Sequence, residues 1–162
     1  MKRILMMSGA LVLAAGAAMA DVTPVKDVKV ETDIKALSDP AAQAFYEGMA
    51  SDLEAQIIAD LGTAYNPDNA AGARLSVDID EAELASTWEN LTDVGQSRLG
   101  AQVNVYSDTD NSDFNNYTLS VSYPDIAVYL PPNSDISALT VDDPAYYQAM
   151  IELFAHEVVE RL

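Results

Sequence analysis

The chain has 162 residues and a formal net charge of −18, from 26 acidic against 8 basic side chains. That balance excludes nucleic acid as a ligand, because such binding rests on cationic contacts to phosphate, and it disfavours an anionic membrane surface. The absence of cysteine excludes a disulfide framework, a thiolate metal site and a cysteine nucleophile.

Residues 1–20 read as an export signal. Lys2 and Arg3 form a positive start, Ile4 to Ala18 is apolar, and Ala18-Met19-Ala20 is a small-residue cleavage site. Cleavage after Ala20 leaves a mature chain, 21–162, that suits a single domain. Without Lys2 and Arg3 the count is 26 acids against six bases, so the mature charge is −20. The style of the segment is bacterial, so the expected compartment is the periplasm. No stable membrane span is expected after processing, since the apolar run is too short. The scattered acids read as a solvated surface, with a basic envelope protein as the permitted partner.

Val28, Val30, Thr32 and Ile34 alternate with Lys29, Glu31 and Asp33, which predicts a half-buried strand. Asp39 to Leu61 then carries the clearest helical pattern. Asp39 is placed to cap, Pro40 occupies N1, and Phe45, Met49, Leu53, Ile57 and Leu61 recur at i+4. Gly62 suits the residue after the helix, and 62–72 reads as a loop rich in turn residues. Arg74 to Asp80 is a second strand, with Leu75, Val77 and Ile79 on one face. A short irregular or helical stretch follows around Leu84 and Trp88; Trp88 reads as a satellite core residue. Leu91 to Ser97 reads as a turn.

Arg98 to Tyr106 alternates with Leu99, Ala101, Val103 and Val105 inward. Tyr117 to Tyr123 does the same with Leu119 and Val121, and a polar loop joins the two as an antiparallel hairpin. Ile126 to Leu130 reads as a strand fragment that Pro131-Pro132 ends. After a loop, Asp143 to Leu162 repeats the Asp-Pro opening, with Tyr147, Met150, Ile151, Phe154 and Val158 as its apolar stripe. The expected order is strand, helix, three strands, helix. That is an α+β fold, a mostly antiparallel sheet with two long helices packed on one face.

Few residues suggest chemistry. The loop holding Asp108, Asp110 and Asp113 offers oxygen ligands of the kind Ca²⁺ takes, with Asp125 as a helper. Counted as an EF-hand from Asp108, it has Asp113 where glycine is needed and Leu119 where a bidentate glutamate is needed, so the expected reading is a solvated hairpin tip and no metal site. His156, the sole histidine, falls opposite the apolar stripe between Glu152 and Glu160 and reads as a solvent face. There is no G-x-S-x-G and no phosphate-binding loop. No catalytic or cofactor-binding residue is assigned, and no cofactor is expected.

The strand and helix order from Val28 to Leu162, together with the export segment, resembles the small α+β accessory domains of Gram-negative envelope proteins. These are the auxiliary lipoproteins of transport and outer-membrane assembly machines and the amino-terminal domain of the Tol-system propeller protein. The chain departs from the lipoproteins in lacking their acylated cysteine. The resemblance implies a non-catalytic periplasmic accessory or binding module and transfers no site residue. Partner capture by adding a strand to a sheet edge is the expected mode. A second reading, an acidic hydrolase using carboxylates, requires a cleft holding one Asp or Glu of raised pKa.

Overall fold

The computed structural model describes residues 23–90, 92–109, 115–132, 134–135 and 138–162. The export segment 1–20, Asp110 and Asp113 lie outside the described residues. Strand β1, Val25–Glu31, leads through a 3₁₀ turn at Ile34–Ala36 into helices α1, Pro40–Tyr46, and α2, Met49–Leu61. Strand β2, Ala73–Ile79, is followed by helix α3, Glu81–Glu89. The hairpin of β3, Arg98–Tyr106, and β4, Asn115–Ser122, precedes the short α4, Tyr123–Ile126, and the long α5, Pro144–Glu160.

The strands form one sheet in the order β1-β2-β3-β4. β1 runs parallel to β2, and the other two pairings are antiparallel. The fold is therefore α+β with a mostly antiparallel sheet, as the periodicities predict. The parallel pair follows from the connection: a strand that returns beside its neighbour in the same direction needs a long crossover, and α1 and α2 supply it. The core lies between the sheet and helices α2 and α5. Val30, Leu75, Val77, Leu99, Val103, Leu119 and Val121 face Met49, Leu53, Ile57, Met150, Phe154 and Val158, all of them buried.

Several elements depart from the sequence reading. β1 starts three residues earlier and stops before Thr32. A register shift between Val25 and Asp27 lets Val25 and Val28, three apart, both face inward. The helix expected over 39–61 is two helices, parted at Glu47 and Gly48, where Gly48 N-caps α2. The break moves the stripe by one position: Tyr46 is fully buried and Phe45 only partly. In α5, Tyr146 is likewise buried and Tyr147 partly exposed. The capping carboxylates are as expected, with Asp39 accepting from Ala41 N–H at 2.7 Å and Asp143 from Ala145 N–H at 2.8 Å.

The strand expected over Ile126–Leu130 is not formed. Ser122 and Asp125 make a capping box, with Ser122 N–H and hydroxyl donating to Asp125 at 3.2 and 2.8 Å, and Pro124 sits in the first turn. The chain turns away from the sheet there, and Ile126 is buried while Val128 is exposed. Trp88 lies in a regular helix, α3, with Asp80 as its N-cap. Its ring packs on Phe45 at 5.4 Å and Tyr46 at 5.9 Å, the satellite position expected for it. No helix among the described residues is long and apolar enough to cross a membrane.

Candidate functional site

The outer strands of the sheet are its sites of unpaired backbone, and they are treated differently. On β1, the carbonyl of Val25 accepts from Asn66 N–H at 2.8 Å, and the Val30 N–H donates to the Glu54 carboxylate at 3.3 Å. Lys26, Asp27, Lys29 and Glu31 add charge along the same strand. A bulge, charges and covering groups are the means by which proteins blunt an edge.

Among the described residues, β4 has no bulge and no charge of its own, and only its last residue is covered. Its eight residues, Asn-Asn-Tyr-Thr-Leu-Ser-Val-Ser, carry no charge, no proline and no glycine, and its pairing to β3 is continuous. The direction of its free groups follows from the neighbouring ladder. Asp80 N–H donates to the Gly100 carbonyl at 2.8 Å, so the backbone groups of Gly100 point toward β2. Gly100 faces Ser120 across β3 and β4, so those two form a non-hydrogen-bonded pair. Ser120, Thr118 and Asn116 therefore direct their N–H and C=O groups outward along the free edge. At Ser122 the outward N–H is taken by Asp125.

A recess of about 200 Å³ runs beside this edge, lined by Leu119, Ser120 and Val121 of β4, Asp125 of α4, and Leu153, Glu157 and Arg161 of α5. Arg161 donates to Glu157 at 3.0 Å and lies 5.6 Å from the centre of the Tyr117 ring. The strip thus offers backbone groups on one side and, on the other, a mixed recess where the buried Leu119, Val121 and Leu153 meet Ser120 and the charged Asp125, Glu157 and Arg161.

Of the residues singled out by sequence, Asp125 lines this recess, and Asp108 and His156 fall elsewhere. Asp108 accepts from Lys26 Nζ at 2.9 Å and from Arg74 Nε at 3.0 Å. The Lys26 hydrogen bond first, then Arg74, holds its carboxyl below the usual carboxylate range. A cation arriving there would have to displace two others. Asp125, the suggested helper, is the N3 residue of α4. Ca²⁺ and Mg²⁺ at equal ionic strength are therefore expected to raise the melting temperature equally, through screening. Thermal melts with each ion check this; a rise specific to Ca²⁺ would place a binding site at the loop.

His156 is exposed, with Nε2 3.4 Å from Glu160 Oε1. Among the described residues no group of three or more His, Asp or Glu side chains is arranged to hold a metal. The Asp39 carboxyl, like that of Asp108, is lowered, by the Ala41 backbone N–H and then by the Trp88 indole. A lowered carboxyl does not serve as a general acid. The β4 edge could not have been read from the strand alone, because being an edge is a property of the sheet order. Its uncharged composition was the available signal. No family model, curated protein or solved structure matches the chain.

Proposed function

We propose that the protein is a non-catalytic accessory module of the bacterial periplasm that captures an extended segment of a basic envelope protein on β4. The observation that carries the reading is the contrast between the two edges, β1 guarded and β4 open and uncharged in a chain of net charge −18. An added strand gains backbone hydrogen bonds from Asn116, Thr118 and Ser120, and its alternate side chains meet the recess lined by Asp125, Glu157 and Arg161 over Leu119 and Leu153. The acidic surface accelerates the approach of a basic partner and repels acidic ones.

The test places a photo-crosslinking residue at Ser120 or, as control, at Lys29, and exposes each purified protein to envelope extract. Position 120 is expected to give a discrete adduct that Thr118→Lys removes, and position 29 none. Thr118 is exposed, so the lysine should alter stability by no more than about 0.5 kcal/mol. Equal labelling from both positions, or an adduct indifferent to Thr118→Lys, would remove the edge from the reading.

A further inference from the structure

We infer that a recess between α1 and α3 is a socket for one guanidinium group, the side chain of an arginine presented by a peptide or protein. The inference deepens the binding-module reading and rests on it for the partner. The socket shares no residue with β4, so the two stand or fall separately.

The recess has a volume of about 350 Å³. Ligand pockets begin at roughly 300 Å³, so this one is at the small end of that range and has room for one guanidinium on its stem. Its apolar lining is Leu37, Ala42 and Ala85, the first two of them buried. Trp88 adds an aromatic wall. The indole is fixed on both counts that matter: its ring packs on Phe45 and Tyr46, and its N–H donates to Asp39 Oδ2 at 3.1 Å. A preset ring spends no rotamer entropy on a ligand.

Two carboxylates, Asp39 and Glu89, complete the lining with Ser38, and no lysine, arginine or histidine is among the lining residues. That choice excludes an anion. Glu89 enters no ion pair among the described residues. It lies in the last turn of α3, which has no basic residue to meet the partial negative charge of the helix end. A cation bound there would meet the Glu89 carboxylate and that helix end together. Asp39 stays ionised because two donors already hold its charged form. Between cations, a guanidinium is favoured over an ammonium. It is planar and weakly hydrated, stacks on an indole face, and forks onto a carboxylate.

Trp88 is the sole tryptophan, so fluorescence excited selectively at tryptophan, away from the eight tyrosines, reads the wall of this recess. The experiment titrates the purified protein with N-acetyl-arginine amide and with the citrulline counterpart, which has the same shape and no charge. Arginine is expected to give a saturable change, and citrulline at least about tenfold weaker binding, the loss of a charge-assisted contact. Glu89→Gln is expected to weaken arginine about tenfold as well. No saturable change, an equal response to citrulline, or indifference to Glu89→Gln overturns the socket. If the socket fails while the position 120 adduct persists, only this inference falls. If the titration succeeds and the adduct is absent, only the edge reading falls.

Discussion

Replacing Leu53 with alanine is expected to lower the melting temperature by on the order of 10 °C. Leu53 is 0% exposed at the centre of α2, the helix that covers β1 and packs along α5. Truncating it removes buried apolar contact and leaves a cavity that the packed surroundings fill only in part. Such changes cost about 2–5 kcal/mol, and for a domain of this size each kcal/mol moves the midpoint by a few degrees. Gln56, one turn on and outside the core, provides the control: Gln56→Ala should stay within about 0.5 kcal/mol of the parent. Calorimetry or denaturant titration of both variants makes the comparison. A Leu53→Ala protein that melts with the parent would mean that α2 is not a core helix.

Period and capping made most of this fold legible. β3 lies where its alternation puts it, at Arg98–Tyr106, because Leu99, Ala101, Val103 and Val105 all face the core. α5 begins where Asp143 and Pro144 say it should. The errors have local causes. At the first helix the i+4 run from Phe45 was followed, while Ala42, Tyr46, Met49 and Leu53, spaced four, three and four, share the buried stripe. Both spacings are helical, and only the break at Gly48 decides between them. At 126–130 an apolar run resembled a strand, but the Ser122–Asp125 box had already turned the chain. The Trp88 recess depends on Asp39 meeting a residue 49 positions away, which no local pattern carries. The Asp108 loop drew attention by composition, and its one described candidate ligand turned out to bind Lys26 and Arg74.

Raising the pH above 10 is expected to unfold the protein, and Tyr46→Phe is expected to delay that unfolding. Burial, joined by the neighbouring Tyr146, pushes the Tyr46 phenol above its ordinary value of 10.0. Burial first, and then the Asp52 carboxylate that its hydroxyl meets at 2.8 Å, does the same to Tyr147. Burial also raises Tyr146, against the opposing hydrogen bond with Ser97. In each case the folded value lies above the unfolded one. The unfolded chain therefore releases the proton first as pH rises. The contribution of these neutral phenols is fully present below pH 10 and is lost as pH climbs toward the raised folded values. The limiting slope is about 1.4 kcal/mol per pH unit for each such group. Tyr46 is 0% exposed and its hydroxyl has no hydrogen-bond partner among the described residues. Phenylalanine keeps the ring contacts with Phe45 and Trp88 and removes a desolvated hydroxyl. The variant should gain about 1 kcal/mol at neutral pH and unfold at a higher pH than the parent. Far-ultraviolet dichroism with tyrosinate absorbance, read from pH 7 to 12, gives both results. The growing negative charge of the protein acts on parent and variant alike, so the difference isolates the phenol. Loss of stability in Tyr46→Phe at neutral pH would show that the hydroxyl is satisfied, and identical alkaline midpoints would show that Tyr46 does not drive the transition.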